Sequence, residues 1–374
     1  MEDKNFLYNL YYEWWKNIDK FIFSLIIILF VTGLFFSLVS TSLVASDKLN
    51  TNDYLFFFKH LIFIFLGLIV IFFLSSINQD KLFKFSILVF ILSMIFLILV
   101  PIIGIEVKGS KRWIDLYLFP RFQPIELVKP FLIILISLIL SSQKYTNIYF
   151  KYSFSFLITL CVALLLVMQP DIGQTILVFF SWSILIFISG INIIFLLSLF
   201  LLLVFVLIYS IFFIPKFEYI KNRLLSFFDN ETGTHNFQSD KALDSIISGG
   251  FFGKGIGEGT LKNKVPEAHT DYIISVISEE FGVIAIVLIL FLFLILIYSV
   301  FKKINFEIDE KVKLILVGSV SLILMQAMIH IGVNIRLFPT TGMTLPFISY
   351  GGSSIISISI LSGIILNLTK RKIH

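Results

Sequence analysis

Long apolar runs separated by short polar segments form the dominant pattern along this chain of 374 residues. A transmembrane helix needs about 20 consecutive, predominantly apolar residues. Ten runs reach or approach that length, at 21–40, 55–75, 83–104, 124–140, 150–168, 172–190, 191–214, 272–300, 312–337 and 344–367. The pattern predicts an all-α polytopic membrane protein with about ten transmembrane helices. The boundary between the sixth and seventh spans rests only on Gly190 and Asn192.

Lysine and arginine are distributed unevenly between the segments that connect these runs. If the N-terminus is cytoplasmic, the short inside segments carry thirteen of them, and the short outside segments carry five: Lys48, Lys108, Lys111, Arg112 and Arg121. The excess of basic residues marks the cytoplasmic side, so both termini are expected inside. The segment 215–271 then becomes a large external loop between spans 7 and 8. A single membrane domain, 21–369, is expected between a cytoplasmic segment, 1–20, and a basic tail, 370–374.

Composition agrees with a membrane protein and excludes several other classes. Apolar residues make up 58% of the chain and charged residues only 14%, whereas soluble domains carry roughly a quarter charged residues. The single Cys161 excludes an intrachain disulfide. The sequence pI is near 9.0, but the basic residues are scattered between apolar runs. They therefore indicate topology and no nucleic-acid partner. The first run is too long for a cleavable signal and is expected to remain as an anchor.

The fourth span begins with an acid and a base. Glu126 and Lys129 lie three residues apart, so they share one helix face and can pair. Ionisable groups within a span are costly and usually face a partner or a cavity. A structural ion pair and a pair that lines a substrate cavity both fit this spacing.

The ninth span carries a polar stripe. Gln326, His330 and Asn334 follow one another at intervals of four residues and therefore lie on one helix face. Hydrogen bonds between helices explain such a stripe. A proton relay through His330 is the alternative, although no matching run of acidic residues crosses the other spans.

The external loop ends in the segment Pro266 to Tyr272, where the eighth apolar run begins. Asp271 is the last acid before that run. A carboxylate at the mouth of a span is well placed as a general base, because a pocket of low dielectric raises its proton affinity. The alternative is an acid that caps the helix or stabilises its first turn.

Six glycines lie between residues 249 and 259. This stretch does not match a P-loop, because the spacing to Lys254 is one residue short and Gly255 stands where Ser or Thr is needed. A flexible loop whose backbone N–H groups bind a lipid-linked pyrophosphate is the interpretation that remains.

Two further segments combine Gly, Pro and polar residues at the end of a span. The segment 339–354 predicts a broken start of the tenth helix, which is tolerated only against protein or a wet cavity. The turn 169–174 is similar, and its Asp171 is a candidate either for function or for a helix cap. The start of segment 339–354, the turn 169–174, the segment 105–123 and the long loop all fall on the predicted external side. The chemistry is therefore expected on that side.

Taken together, these motifs resemble the SEDS family of membrane proteins of shape, elongation, division and sporulation. The resemblance runs from about residue 20 to 370. Its motifs are Lys108–Trp113, Gln123–Lys129, Gln169–Asp171, Pro266–Asp271 and 339–354. The division member in its alphaproteobacterial form is most similar, and the elongation member is the close alternative.

The resemblance implies a peptidoglycan glycosyltransferase that polymerises lipid II on the outer face of the cytoplasmic (inner) membrane. The family's catalytic aspartate corresponds to Asp271. Glu126 and Lys129 match positions that line the family's cavity, and Lys111 and Arg112 carry suitable charge for a pyrophosphate. Further candidates for lining the cavity or binding substrate are Gln123, His269, His330, Asn334 and Ser349. The resemblance implies no definite cofactor, although a divalent cation, Mg²⁺ or Mn²⁺, is compatible with the site.

The partners implied by the resemblance are lipid II, a class B penicillin-binding protein transpeptidase and other division proteins at the septum. The sequence departs from the family at Ile125, where Ser is usual, and at Arg336–Phe338, where a more neutral stretch is common. A lipid II flippase and a structural scaffold are the rival functions. The flippase would suit the intramembrane Glu126–Lys129 pair, but no inverted repeat is visible.

Overall fold

The computed structural model describes residues 11–41, 54–107, 110–115, 120–144, 147–214, 217–228, 237–261 and 265–370. Most of these residues are helical. The first seven long helices are α1 (Lys20–Thr41), α2 (Leu55–Ser76), α3 (Gln79–Ile103), α4 (Pro124–Ser141), α5 (Ile148–Met168), α6 (Ile172–Ile188) and α7 (Ile193–Phe213). Two amphipathic helices follow in the long loop, α8 (Glu218–Phe228) and α9 (Phe237–Gly249). The remaining three are α10 (Ile273–Ile304), α11 (Glu310–Asn334) and α12 (Gly352–Leu368).

The ten predicted spans correspond to α1–α7 and α10–α12, which confirms an all-α polytopic membrane protein. Eight of these helices are long and apolar enough to cross a bilayer. The other two, α6 and α12, have 17 residues each, which is near the lower limit for a span. The predicted division between spans six and seven is also found, because α6 ends at Ile188 and Asn192 caps α7 through the N–H of Ile194 at 2.9 Å.

Two of the predicted spans are interrupted or shortened. The tenth apolar run begins near 344, but α12 begins only at Gly352, which confirms the broken start predicted for 339–354. Residues 339–351 form an irregular segment in which Gly342 has φ +72°, a conformation that favours glycine. The eighth run forms a helix, but it is interrupted at Gly282 (φ +76°). Its outer part, before Gly282, is therefore separate from the membrane-crossing part that follows.

The core of the bundle is formed by α4, α11 and α12, most of whose residues are buried. Around this core, α2 packs on α12, α3 on α4, α6 on α11, and α1 on α10. By contrast, α7 exposes nearly all of its side chains. A helix that is apolar all round and exposed is matched to lipid rather than to water. A short antiparallel hairpin, β1 (Ile105–Val107) and β2 (Ser110–Trp113), follows α3. Lys108 lies outside the described residues.

Candidate active site

A cavity of about 800 Å³ lies at the end of the bundle that the charge distribution predicts to be external. It is bounded by the second and third turns of α2, the first turns of α4, α6 and α12, β2 and the segments that precede α10 and follow α11. Its polar wall includes Lys59, Arg112, Arg121, Gln123, Glu126, Gln174, Glu267, Asp271, Thr341, Thr344, Tyr350 and Ser354. The cavity therefore combines carboxylates, two guanidinium groups, an ammonium group, amides and hydroxyls next to apolar side chains of α2.

Asp271 lies on this wall, one residue before the N-cap of α10. Tyr272, rather than Asp271, occupies the N-cap position, and it makes no side-chain capping hydrogen bond. The backbone carbonyl of Asp271 accepts a hydrogen bond from Asn334 Nδ2 at 3.0 Å. A Cβ atom at Gly342 would lie 3.6 Å from Asp271 Oδ2. The carboxylate therefore faces the backbone of the 339–351 segment across the cavity rim.

The polar stripe of α11 connects this rim to the bundle. Gln326 Nε2 donates to the carbonyl of Thr344 at 3.1 Å, and His330 Nδ1 lies 2.7 Å from the carbonyl of Met343. Because a carbonyl only accepts, His330 carries its proton on Nδ1. His330 and Asn334 are fully buried behind the wall. These contacts join α11 to the irregular segment 339–351. Among the described residues, only Gln326 of the stripe also bonds to other helices, at Lys129 Nζ of α4 (3.3 Å) and Ser354 Oγ of α12 (3.4 Å).

Glu126 and Lys129 form a buried ion pair, with 2.9 Å between Oε1 and Nζ. Glu126 faces the cavity, whereas Lys129 lies behind it and also donates to Gln326 Oε1 at 3.3 Å. Gln174 Nε2 donates to the same Glu126 oxygen at 2.9 Å. Glu126 Oε2 has no hydrogen-bond partner among the described residues. Lys129 is therefore a structural partner behind the wall, whereas Glu126 is part of the wall and has one buried oxygen without a hydrogen-bond partner in the described part of the chain.

Arg112, which was expected to bind pyrophosphate, is directed towards the turn between α5 and α6. Its guanidinium donates to the carbonyls of Gln169 and Pro170 and lies 3.6 Å from Asp171 Oδ2. Gln123 Nε2 donates to the same carboxylate at 3.1 Å, and Asp171 caps α6 through the N–H of Gln174. Burial raises the pKa of Asp171, and the neighbouring charge of Arg112 opposes that increase. Arg112 and Gln123 both remain on the cavity wall.

The cavity lining does not include the remaining sequence candidates, His269, Ser349 and Lys111. The ring of His269 packs against Phe56 at a tilt of 36°, with 4.2 Å between centroids, and the His269 carbonyl accepts from the N–H of Tyr350. Ser349 Oγ accepts from the N–H of Leu345 at 2.9 Å. Lys111 is exposed on β2, outside the cavity lining. Like these three side chains, Lys129, His330 and Asn334 are absent from the cavity lining, although all six were expected there.

The glycine-rich loop does not form the expected pyrophosphate cradle. Its N–H groups already bind the protein at the break in α10. The amides of Thr260 and Leu261 each donate to Glu279 Oε1 at 2.9 Å, and the amide of Gly257 donates to Glu280 Oε1 at 3.3 Å. Both carboxylates are buried. The pyrophosphate interpretation was therefore wrong, because the loop encloses two acids of the protein itself.

Sequence reasoning placed Glu279 only at the edge of the helix face that carries Asp271, and it missed Glu280 and several members of the wall. Two adjacent carboxylates inside an apolar run were a signal, since buried charges need partners. Gln174, a polar residue in an apolar span, was a second signal. Glu267 and Tyr350 could not be assigned to the cavity, because only the tertiary arrangement brings their segments together.

The described part of the site offers carboxylates for a metal ion but no complete set of protein ligands. Among the described residues, no three His, Cys, Asp or Glu side chains come together as a cage. The carboxylates of Glu267 and Asp271 share the cavity wall. Mg²⁺ is commonly held by one or two carboxylates together with substrate phosphates. The residues present therefore fit a cation that arrives with a phosphate-bearing substrate.

These features define a multi-pass helical membrane protein with a polar, carboxylate-bearing cavity at one end. The chain belongs to the cell cycle protein family of FtsW, RodA and SpoVE, whose family model matches residues 19–374. This result confirms the SEDS resemblance.

Individual relatives agree with this assignment. The chain is 30% identical over 362 residues to a probable peptidoglycan glycosyltransferase FtsW of Caulobacter vibrioides, covering 96% of this chain and 91% of that protein. It is 31% identical over 362 residues to a protein of the same name from Haemophilus influenzae, covering 94% and 90%.

Solved structures show the same fold. A chain from a study of how a peptidoglycan synthase complex coordinates polymerization and crosslinking superposes with a TM-score of 0.78 and 26% identity, covering 94% of this chain and 97% of that one. The rod shape determining protein RodA of Thermus thermophilus superposes with a TM-score of 0.68 and 25% identity, covering 94% and 96%.

Proposed function

We propose that this protein is a peptidoglycan glycosyltransferase that polymerises lipid II, with Asp271 as the catalytic base. The observation that carries the proposal is the position of Asp271 on the wall of a cavity that also presents Glu126, Arg112 and Gln123. The relatives named FtsW are probable peptidoglycan glycosyltransferases, and this protein shares nearly their whole length.

The reaction joins two lipid-linked sugars. The 4-hydroxyl of the acceptor's terminal GlcNAc attacks the anomeric carbon of the donor, which forms the new glycosidic C–O bond. The bond between that carbon and the pyrophosphate oxygen breaks, and undecaprenyl pyrophosphate leaves with the electron pair. Asp271 takes the proton of the attacking hydroxyl, a contribution worth roughly 10²- to 10⁴-fold in rate.

The surrounding residues support this role. The hydrogen bond from Asn334 to the carbonyl of Asp271 fixes the backbone that carries the base. Glu126 lies on the same wall, and its buried Oε2 atom has no hydrogen-bond partner among the described residues. A divalent cation bound with the substrate would neutralise charge on the leaving pyrophosphate, and Asp271 and Glu267 would be its protein ligands.

The biological setting is proposed from the same relatives. The protein acts in the inner membrane, at the division septum, with its cavity on the outer side. A class B penicillin-binding protein is its proposed transpeptidase partner, in keeping with the likeness to a chain of a peptidoglycan synthase complex. Elongation by a RodA-type polymerase is the alternative role, and depletion distinguishes them, because filaments indicate division and round cells indicate elongation.

The deciding experiment is polymerisation of purified lipid II by the reconstituted protein, with and without its transpeptidase partner. We expect glycan strands from the wild type and a loss of roughly 10²- to 10⁴-fold in Asp271→Asn, with an unchanged melting temperature. The matched control is Asp244→Asn, an exposed acid of α9, which should retain full activity. Full activity in Asp271→Asn would exclude the base. Translocation of lipid II without any glycan product from the wild type would instead indicate a flippase.

A further inference from the structure

Two adjacent phenylalanines in the glycine-rich loop are almost fully exposed. The exposed fractions of Phe251 and Phe252 are 75% and 83%. Large aromatic side chains exposed together on a loop are unusual for a water-facing surface and commonly mark an interaction site. The question is what covers them.

The depth of this loop can be measured along two helices. Lys303, in the last turn of α10, pairs with Asp19, just before α1, at 2.6 Å. These residues mark one membrane surface. From Lys303 back to Gly282, α10 rises about 32 Å at about 1.5 Å per residue. From Asp19 to Phe36, α1 rises about 26 Å, and the ring of Phe36 packs on Phe281 at 5.4 Å. The hydrocarbon core is about 30 Å thick, so the break at Gly282 lies at its opposite edge.

The loop is attached to α10 at this depth. The N–H of Val283 donates to the carbonyl of Gly250 at 3.0 Å, and the N–H of Ile284 donates to the carbonyl of Phe251 at 3.4 Å. A side chain at Gly282 would collide with the backbone of Phe251, which explains the close approach. Phe251 is therefore held beside the first turn of the membrane-crossing part of α10.

The two rings continue the apolar surface of that helix. Val283, Ile284, Val287 and Leu288 are apolar and exposed on α10, as expected for side chains that face lipid. The loop joins this surface at its edge. Phenylalanine is one of the residues with which interfacial anchors enter the boundary between headgroups and acyl chains.

We propose that Phe251 and Phe252 insert into the lipid leaflet opposite the basic loops and anchor the glycine-rich loop at the membrane surface. The occupant of this patch is lipid. The other edge of the same loop binds Glu279 and Glu280. The anchor therefore holds the outer part of α10 at a fixed height above the bilayer.

The test uses the full-length protein in liposomes with Cys161 replaced by Ser, which leaves no other cysteine. A nitroxide is attached in turn to Phe251→Cys and to Phe252→Cys, so that one phenylalanine always remains. Its access to oxygen, which concentrates in lipid, is compared with its access to a water-soluble nickel chelate. Leu288→Cys is the lipid-facing reference and Asp244→Cys the aqueous reference.

We expect both loop labels to shift towards oxygen, as at Leu288, in variants that melt at the parent temperature. Nickel access equal to that at Asp244 would overturn the proposal. Low access to both reagents would also overturn it, because it would show that protein, a second copy, covers the patch. None of these outcomes depends on glycosyltransferase activity, so the proposal stands or fails separately from the proposed function.

Discussion

Asn334 holds the backbone of Asp271 rather than its carboxylate. Its Nδ2 atom donates to the carbonyl of Asp271 at 3.0 Å and to the carbonyl of His330 at 2.9 Å. Asn334 is fully buried at the end of α11. This one side chain therefore connects the last turn of α11 to Asp271, just before the N-cap of α10. It leaves the Asp271 carboxylate directed at the cavity.

Replacing Asn334 by Ala should lower kcat while leaving KM nearly unchanged. The substitution removes the bond that positions Asp271, and small displacements of a catalytic group cost up to about 10²-fold in rate. We expect a decrease of roughly 10-fold to 100-fold in lipid II polymerisation. Asn367→Ala is the matched control, since Asn367 also donates to backbone carbonyls, of Leu74 and Ile77, but lies at the other end of the bundle. Equal losses of kcat in both variants would indicate a general loss of structure.

Removing Lys129 should destabilise the protein strongly. In Lys129→Met the carboxylate of Glu126 stays buried without its cation, which costs about 3 to 5 kcal/mol. The double variant Glu126→Gln/Lys129→Met has no buried charge at this pair and should recover most of the melting temperature. Its polymerisation activity should stay low, because Glu126 is the member that faces the cavity. Recovery of activity together with stability would assign the pair a purely structural role.

The helices could be predicted from the sequence because a bilayer requires long apolar runs. Gly190 and Asn192 also marked the short turn between α6 and α7. It also identified Asp271, Glu126 and Arg112, whose side chains meet at one cavity. It could not distinguish residues on the wall from those behind it. Lys129 lies only one turn from Glu126, and which of them faces the cavity is decided by packing against Gln326.

The glycine-rich loop shows a second limit of sequence reasoning. Its glycines are compatible with any acceptor that approaches the backbone, and an anion from a substrate was the expected one. The acceptors are instead Glu279 and Glu280, which follow it by about 20 residues. Only the break at Gly282, where φ is +76°, allows the loop to reach both carboxylates, and nothing in the apolar pattern marks that break.

Replacing Glu279 by Ala should loosen the glycine-rich loop. The amides of Thr260 and Leu261 would lose their shared acceptor, and hydrogen bonds to a charged group contribute about 1.5 to 3 kcal/mol each. We expect faster hydrogen exchange across 250–261, with a smaller effect in Glu279→Gln, whose amide oxygen still accepts. Glu258→Ala, an exposed acid of the same loop, should leave exchange unchanged. Equal protection in Glu279→Ala and the wild type would show that these bonds contribute little.

The Asp19–Lys303 pair should give the protein a pH-dependent stability. Burial alone would raise the pKa of Asp19. The hydrogen bond and charge of Lys303, together with the N–H groups of Phe21 and Ile22, outweigh this effect, so the pKa lies below its ordinary value of 3.8. A lowered pKa stabilises the folded state above pH 3.8, and this contribution is lost as the pH falls through the folded pKa. Asp19→Asn should therefore melt earlier than the wild type from about pH 5 upward, by about 1 kcal/mol for a partly exposed pair.

The difference between the two proteins should shrink as the pH falls below 3.8 and should disappear below the folded pKa of Asp19, where the wild-type carboxyl is protonated and uncharged. Asp80→Asn is the control, since Asp80 is an exposed acid in the first turn of α3 on the same side of the bundle. It should change the melting temperature little at any pH. A difference between Asp19→Asn and the wild type that stays unchanged from pH 7 down to the lowest pH at which the protein remains folded would show that Asp19 acts through its shape and hydrogen bonds rather than its charge. In that case the pair could not serve as the electrostatic tie that fixes α1 and α10 at the same membrane surface.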